Sequence, residues 1–432
     1  MKKYEVYKES GIEWMKEIPD NWLNIRLRYL CDITTGDKDT INQVVDGEFP
    51  FYVRSKDIKK INSFSYDGEA ILTAGDGDIC KIWHYVNEKF DFHQRVYMLY
   101  NFKSVNGKFL YYFLKENFIH EVLKLSAKST VDSLRLPMFL NFPLCIPENS
   151  KEQTQIANYL DHKTTIIDGL IDKKEQLIKK LQAQRKAIIN EAVTKGLNKN
   201  AKMKNSGIEW LGEIPEHWSF ISISKVAKSN RYSITGGPFG SDLKQEEYTE
   251  KGVRIIQLQN IGVGEFKNKY KIFTTEKKAD ELFSCNVFPG DLIIAKMADP
   301  VARACIVPNF DERFIMASDG IRFEVDETKC YVKFLEYAIN SKYLNFQAEL
   351  KSTGTTRLRI GLTEFKKFKL LLPNLKEQAK ILFFIENKGG IIIKSVSLLK
   401  NQIKKLKAYR QAIISEAVTG KIDVRDWQAP KK

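Results

Sequence analysis

The side chains in this sequence that could do chemistry are polar groups in turn-rich loops, of the kinds that hydrogen-bond to bases and phosphates. Arginine and lysine can pair with guanine, glutamine and asparagine with adenine, and serine and threonine with either bases or phosphates. In the first half of the chain we predict DNA contacts from Arg54, Ser55, Lys56, His93, Gln94, Arg95, Lys128, Ser129, Thr130 and Arg135. The stretches that we match to these in the second half contain Gln257, Gln259, Asn260, Lys296, Arg303, Ser318, Asp319, Thr355, Thr356, Arg357 and Arg359. The alternative for each residue is an ordinary polar side chain in a surface loop.

Catalytic chemistry is not expected of this chain. An adenine methyltransferase would need an Asn/Asp-Pro-Pro-aromatic motif, and no two prolines are adjacent in the sequence. The five histidines and six cysteines show neither a C-x-x-C pair nor zinc-ligand spacing. The glycine-rich segments AGDGD and GGPFG lack the Walker A pattern and are interpreted as turns. We therefore predict no catalytic residue, no metal site and no cofactor in this chain.

Lysine and arginine outnumber the acidic residues by 69 to 54, which gives a formal net charge of +15 at pH 7. This balance favours a polyanionic partner, with nucleic acid as the leading candidate. No apolar run approaches the roughly 18 residues of a membrane span, and the start, MKKYEVYKES, does not resemble a secretory signal. We therefore expect a cytoplasmic protein without membrane contacts. A length of 432 residues predicts two or more domains.

The chain contains two copies of one plan. The segment SGIEWMKEIPDNW at residues 10–22 returns as SGIEWLGEIPEHW at residues 206–218. A second block pairs residues 152–194 with residues 377–419 without a gap, and 19 of the 43 positions are identical. Repeats of this length predict duplicated structural units. The two tryptophans in each SGIEW segment predict a clamp at the start of each domain, or alternatively a docking point for a partner.

The second block predicts a long helix in each copy. Ser150 with Gln153, and Asn374 with Glu377, have the spacing of a capping box at the helix start. Apolar residues then recur in heptads, which is typical of a coiled coil. We predict a seam that comprises Leu160, Ile167, Ile171, Ile178, Leu181, Arg185 and Ile188 in the first helix, and Ile385, Ile392, Val396, Leu399, Ile403, Leu406, Arg410 and Ile413 in the second.

Because both seams are apolar in the same phase, we expect the two helices to pair with each other. Because the copies are tandem and each helix must return the chain to a domain, we expect the pair to be antiparallel. The alternative is that each helix packs separately within its own domain. Arg185 and Arg410 occupy corresponding seam positions. An arginine there either fixes the register of the pair or extends its charged end to solvent.

The predicted fold class is α+β: two mixed α/β domains, named recognition domains 1 and 2 after the DNA contacts predicted above, separated by two long antiparallel coiled-coil helices, with a pseudo-twofold internal repeat. The variable stretches contain short β-rich runs between turn signals, and each ends in a helical stretch. The predicted boundaries are 1–22 for the N-terminal conserved segment, 23–146 for recognition domain 1, 147–196 for the first long helix, 197–218 for the linker and repeated segment, 219–372 for recognition domain 2, 373–420 for the second long helix, and 421–432 for the C-terminal tail.

Four motifs carry a resemblance to a known family: SGIEW-x-x-EIP-x-x-W at the start of each half, EQ-x-x-I at the start of each long helix, R-x-AII-x-EAVT at its end, and the C-terminal AVTGKIDVRDW. Over essentially its whole length the chain resembles the specificity subunits of type I restriction–modification systems. The resemblance implies that each recognition domain reads one half of a bipartite asymmetric DNA site and that the helical pair sets the gap. It matches residues 156–189 and 381–414 to the family's conserved regions.

The resemblance also implies partners and cofactors. Two modification subunits, which bind S-adenosylmethionine and methylate adenine, would dock on the helical pair, and restriction subunits that use ATP and Mg would join them. No cofactor is implied for this chain. A coiled-coil DNA-binding scaffold or regulator without a methyltransferase partner is the alternative function.

The second helix departs from the family pattern at Phe383, Phe384, Gly389 and Gly390. Because glycine weakens a helix interior by about 1 kcal/mol per residue, the two adjacent glycines put the straightness of this helix in doubt.

Overall fold

The computed structural model describes residues 2–126, 133–297, 299–354 and 358–429. Its internal contacts divide the chain into two units. The first comprises residues 1–175 with 399–432, and the second comprises residues 176–398. Each unit therefore contains one variable domain together with part of each long helical block.

The first unit is built around a six-stranded sheet. Its elements are β1 (Tyr7–Glu9), β2 (Glu17–Pro19), β3 (Trp22–Arg26), β4 (Asp32–Thr35), β5 (Phe49–Tyr52), β6 (Lys59–Ile61), β7 (Tyr66–Ala74), β8 (Trp83–Phe92), β9 (Val96–Tyr100), α1 (Gly107–Asn117), α2 (Ile119–Ser126), α3 (Leu136–Asn141), β10 (Pro143–Pro147) and α4 (Ser150–Lys195), which continues into the second unit. The sheet order is β4-β9-β7-β8-β5-β6, and only the β5–β8 pair in this sheet is parallel.

The second unit holds two four-stranded sheets. Its elements are β11 (Met203–Asn205), β12 (Glu213–Pro215), β13 (Ser219–Ser222), β14 (Ile234–Gly236), β15 (Val253–Ile256), β16 (Ile272–Thr274), α5 (Glu276–Glu281), β17 (Asn286–Val287), β18 (Leu292–Ala295), β19 (Ala304–Ile306), β20 (Phe314–Met316), β21 (Gly320–Phe323), α6 (Val332–Ile339), α7 (Lys342–Leu350), α8 (Leu362–Lys366), β22 (Lys369–Leu372) and α9 (Leu375–Val418), which continues into the first unit. The sheet orders are β14-β21-β18-β19 and β16-β15-β20-β17.

The two variable domains share one pattern of strand pairing. In the first, β4 pairs with β9, β9 with β7, and β7 with β8. In the second, β14, β21, β18 and β19 pair in the same succession. The parallel pair is also repeated, as β5 with β8 and as β15 with β20. The single strand β8 thus corresponds to β19 and β20 together, with residues 307–313 inserted between them. The predicted mixed fold class and internal repeat are confirmed.

The repeated SGIEW segment forms the same small structure in each unit. It supplies the loop and the second strand of the hairpins β1–β2 and β11–β12, whose registers match when numbered within each copy. The last tryptophan of each segment, Trp22 or Trp218, is almost completely buried. Trp22 donates through Nε1 to Glu152 at the start of α4, over 2.9 Å. The segment therefore ties the start of the domain to the start of a long helix.

The long helices lie antiparallel within each unit. In the first unit Lys174 Nζ donates to Gln402 Oε1 over 2.7 Å, and Arg410 lies 2.9 Å from Asp168. A higher residue number on α9 therefore matches a lower one on α4. In the second unit Ile381 and Ile385 share a core with Ala192 and Val193. Every predicted seam residue is buried or half-buried.

The two seam arginines have different surroundings. Arg410 pairs with Asp168, whereas the position that corresponds to Asp168 in the second copy is Ile393. The Nε of Arg185 is buried without a hydrogen-bond partner among the described residues, and it lies 3.4 Å from where a Cβ on Gly389 would be. Helix α9 runs unbroken through both central glycines, so Gly389 leaves room for an arginine rather than ending the helix.

The helix starts correct one sequence interpretation. Half of the predicted capping box is present at α9: Asn374 Oδ1 accepts the Glu377 N–H over 3.0 Å, whereas Glu377 Oε2 bonds to His217 Nε2 over 2.9 Å. At α4, however, the residue before the helix is Asn149, whose side chain accepts the Lys151 N–H. The predicted capping box at Ser150 was wrong, because the side chain of Gln153 bonds to the backbone of a neighbouring segment instead.

Candidate nucleic-acid interface

Five separate segments of the first unit converge through backbone hydrogen bonds. We call them the first loop cluster, which comprises residues 36–39, 53–56, 75–76, 93–95 and 133–135. The bonds run from the N–H of His93 to the carbonyl of Tyr52 (3.0 Å), Gln94 to Lys38 (2.8 Å), Gly75 to Arg95 (2.8 Å) and Leu134 to Gly75 (2.6 Å). The predicted contact residues Arg54, Ser55, Lys56, His93, Gln94, Arg95 and Arg135 all lie in this cluster.

Two arginines of the first loop cluster share one carboxylate. Asp76 accepts from Arg54 Nη1 at 2.8 Å and from Arg95 Nη1 at 2.7 Å. Burial favours the protonated acid, but the hydrogen bonds from both guanidinium groups outweigh it and lower the pKa of Asp76. The arginine side chains remain 42% and 62% exposed. Each can therefore offer its remaining N–H groups to a ligand from a fixed position.

His93 has a structural place in the cluster. Its side chain is buried, and its Nδ1 accepts the Arg95 N–H over 3.0 Å. Burial lowers the pKa of His93, which favours the neutral ring that this bond requires. The neighbouring Gln94 is exposed and donates to Asp39 over 2.7 Å. His93 therefore supports the backbone of the cluster, and its contact with DNA stays a prediction.

The second unit repeats this convergence at equivalent strands. The second loop cluster comprises residues 237–240, 257–260, 296–297, 317–319 and 359–361. Three of its backbone bonds correspond to three of the four above: they run from the N–H of Ala317 to the carbonyl of Ile256 (2.9 Å), Lys296 to Asp319 (2.7 Å) and Ile360 to Lys296 (2.9 Å). The stretches that we matched by sequence therefore follow topologically equivalent strands.

The charged groups of the second loop cluster differ from those of the first. Arg359 pairs with Asp319 over 2.9 Å, and Lys296 Nζ donates to the carbonyl of Ser318 over 2.9 Å. Burial, assisted by the positive charge of Arg359, lowers the pKa of Lys296. Gln259 donates to Gln257 over 2.6 Å. The same backbone arrangement thus presents one arginine, one lysine and two amides in place of two arginines on one carboxylate.

Two residues predicted to contact DNA in the second unit bond instead to backbone groups of their own unit in this structure. Asn260 is 1% exposed, and its amide bonds to the backbone of residues 257, 267 and 270. Arg303 donates to the carbonyls of Leu258, Ile261 and Asp299. Both side chains are occupied in shaping the loop that carries Gln257 and Gln259. The predicted residues Lys128, Ser129, Thr130, Thr355, Thr356 and Arg357 lie outside the described residues.

Sequence reasoning missed the role of Asp76. The AGDGD segment that contains it was interpreted only as a turn. Its partners Arg54 and Arg95 are 22 and 19 residues away, and no local pattern marks a carboxylate as shared between such positions. Within the described residues no group of three or more His, Cys, Asp or Glu side chains is arranged to hold a metal ion. No helix among them is both long and apolar enough to cross a membrane.

Comparison with known proteins shows the family to which this chain belongs. The family model described as "Type I restriction modification DNA specificity domain" matches residues 19–182 and 215–407, which is most of the chain. This chain belongs to that family. Each match covers one variable domain and most of one long helical block, so the duplication seen in the sequence is a duplication of the specificity domain.

Relatives and solved structures agree with this assignment. The chain is 26% identical over 450 aligned positions to the type I restriction enzyme MjaVIII specificity subunit of Methanocaldococcus jannaschii, with 98% of each chain covered. It is 27% identical to the EcoDI specificity subunit of Escherichia coli, covering 96% of this chain and 91% of that one. A chain from a study of assembly and conformational transition of the type I R-M system superposes with a TM-score of 0.69, at 15% identity and with 94% and 99% of the chains covered. The HsdS subunit from Thermoanaerobacter tengcongensis superposes with a TM-score of 0.51, at 16% identity, with 94% of this chain and 98% of that chain covered. These structural likenesses show a shared fold.

Proposed function

We propose that this specificity-domain protein is the DNA-recognition subunit of a type I restriction–modification complex and that each loop cluster reads one half of a bipartite, asymmetric DNA site. One observation carries the proposal. Equivalent strands in the two units present equivalent loops whose charged and amide side chains differ. A shared scaffold with different hydrogen-bonding groups suits two half-sites of different sequence, because base identity is read through the pattern of donors and acceptors.

The ion pairs within each cluster support base reading over loose charge attraction. Arg54 and Arg95 are oriented by Asp76, and Arg359 is oriented by Asp319. An arginine held in this way loses less side-chain entropy on binding and can present two N–H groups to the O6 and N7 atoms of guanine. Lys56 is exposed and is suited to a phosphate contact.

The long helices supply a spacer and a docking surface in this proposal. Helix α4 has 46 residues and α9 has 44, so α4 by itself is about 69 Å long at 1.5 Å per residue. A helical pair of fixed length adds the binding energies of the two clusters only for the correct gap. Two modification subunits would dock on it, with restriction subunits joining them. S-adenosylmethionine would be bound by the modification subunits, ATP and Mg by the restriction subunits, and this chain would be non-catalytic.

The experiment is methylome sequencing of cells that express the cognate modification subunit with and without this chain. We expect methylated adenine at a single split motif that appears only when the chain is present. A variant that carries the second variable domain, residues 219–372, from a relative should change one half of the motif and preserve the other. If the motif is unchanged by the exchange, or methylation does not depend on this chain, the proposal is wrong.

A further inference from the structure

The loop that follows the first sheet strand of each variable domain carries an exposed apolar side chain. In the second unit it is Phe239, which is 81% exposed, and in the first unit Ile41 and Val45 are 89% and 82% exposed. A single exposed apolar residue is ordinary on a protein surface. Here nearly full exposure occurs in both units, in the loops after the equivalent strands β4 and β14, and this repetition calls for a shared explanation.

A glycine fixes each of these loops against its cluster. A Cβ built on Gly237 would lie 1.9 Å from the carbonyl oxygen of Ala317, and one built on Gly36 would lie 2.1 Å from that of Phe92. Neither position has room for any side chain. The backbone of each loop therefore lies directly on the segment that carries the cluster's central contact residues, 93–95 or 317–319.

Phe239 and Ile41 lie in turns that are closed by hydrogen bonds. The Phe239 N–H donates to Asp242 Oδ2 over 3.2 Å, and the Asp242 N–H donates back to the Phe239 carbonyl over 2.9 Å. Ile41 lies in a turn capped by Asp39, which also accepts from Gln94 of the first loop cluster. Phe239 and Ile41 are thus exposed on turns whose backbone adjoins their cluster.

The surroundings of Phe239 and Ile41 indicate what covers them. The loops that carry them adjoin a cationic or an amide side chain of the cluster: a Cβ on Gly236 would lie 2.7 Å from Lys296 Nζ, and Asp39 accepts from Gln94 over 2.7 Å. A ligand that suits both the apolar side chains and the cationic or amide side chains has apolar groups that project from a surface of phosphates and base edges. The 5-methyl group of thymine is the apolar projection of the DNA major groove.

We propose that Phe239 in the second unit, and Ile41 with Val45 in the first, contact thymine methyl groups and so determine specificity for A·T pairs in each half-site. This inference rests on the proposed DNA-recognition function and adds the apolar part of the code to its hydrogen-bonding part. Removal of one buried methyl group weakens binding by about three- to fivefold.

The test is a double-mutant cycle that combines changes in the protein with changes in the DNA. Binding is measured between the complex with its modification subunits and a duplex that carries the motif found by methylome sequencing. Each thymine of the half-sites is replaced in turn by deoxyuridine, which removes only the methyl group. For the wild type we expect about three- to fivefold weaker binding at one thymine or more in each half-site. Phe239→Ala should abolish that sensitivity in the half-site read by the second unit. The double variant Ile41→Ala, Val45→Ala should abolish it in the half-site read by the first unit.

Phe283→Ala is the matched control. Phe283 is an aromatic residue of the same unit that is 65% exposed, packs on Tyr232 and lies outside the second loop cluster. This variant should keep the deoxyuridine sensitivity of the wild type. Thermal melting of each variant shows whether it has folded, since these exposed positions contribute little to the core.

Three results would overturn the inference: equal deoxyuridine sensitivity of Phe239→Ala and the wild type, insensitivity of the wild type at every thymine, or a loss of affinity for all sequences alike. The last would indicate a wedge between bases or a contact with a modification subunit. These failures differ from failure of the proposed function, in which the wild-type complex would not prefer the motif duplex over a scrambled one.

Discussion

Gln153 and Gln378 make the same three hydrogen bonds in the two units. Both side chains are completely buried. Each amide nitrogen donates to two backbone carbonyls, and each amide oxygen accepts one backbone N–H. For Gln153 the carbonyls are those of Ser104 (3.2 Å) and Pro147 (2.8 Å), and the N–H is that of Asn106 (2.7 Å). For Gln378 the carbonyls are those of Lys329 (3.1 Å) and Pro373 (2.8 Å), and the N–H is that of Tyr331 (2.9 Å). The glutamine of the EQ-x-x-I motif therefore joins a long helix to the segment before the domain's last helices.

Replacement of this glutamine should loosen one unit at a time. Gln153→Leu removes the partner of one buried and two partly buried backbone groups, and each such group costs up to about 1–3 kcal/mol. We expect faster amide hydrogen exchange around α1 and the start of α4, with no change in residues 329–339. Gln378→Leu should produce the reverse pattern.

The control for this pair is Gln184→Leu, at an exposed position in the middle of α4. It should leave hydrogen exchange at the helix starts unchanged. Equal exchange in Gln153→Leu and the wild type would show that the three bonds do not hold the domain to the helix.

Asp76 should control which bases the first half-site accepts. In Asp76→Asn the carboxylate no longer holds Arg54 and Arg95 by charge, so both arginines sample more rotamers. A correctly placed bidentate arginine discriminates between bases by about 1–3 kcal/mol. We expect methylome sequencing to show relaxed specificity in one half-site only. Relaxation of both half-sites, or of neither, would contradict this assignment.

The same carboxylate gives a prediction for pH. Because the folded-state pKa of Asp76 is lowered, its contribution to stability is complete above the unfolded value of about 3.9 and is lost as the pH falls through the lower, folded-state value. The stability difference between wild type and Asp76→Asn should therefore be constant from pH 7 to about pH 5 and shrink below pH 4. Thermal melts across this range measure it, with the exposed Asp57→Asn expected to follow the wild type.

A longer helical pair should change the gap between half-sites. Lys174 bonds to Gln402 across the pair, so seven residues inserted after Leu177 and seven after Lys400 keep the heptad seam in register. The added length is about 10 Å, or about three base pairs at 3.4 Å each. We expect methylation at both original half-sites with a wider gap. Altered half-site bases would count against the spacer role.

The sequence by itself determined the plan of this protein. The repeated blocks, the heptad seam and the positive charge balance depend on the order and type of neighbouring residues, and these predict duplication, long helices and a polyanionic partner without coordinates. The seam phase also predicted that the two helices pair, because two stripes with the same period bury each other. The tandem order of the copies predicted the antiparallel direction.

Tertiary structure alone decided what individual side chains do. Asn260 and Arg303 look like DNA contacts in sequence but are occupied by backbone carbonyls, and Asp76 looks like a turn residue but orients two distant arginines. The physical reason is that a polar side chain bonds to whichever group the chain brings within about 3 Å. The pairing of strands far apart in sequence sets that neighbour, and no local pattern records it.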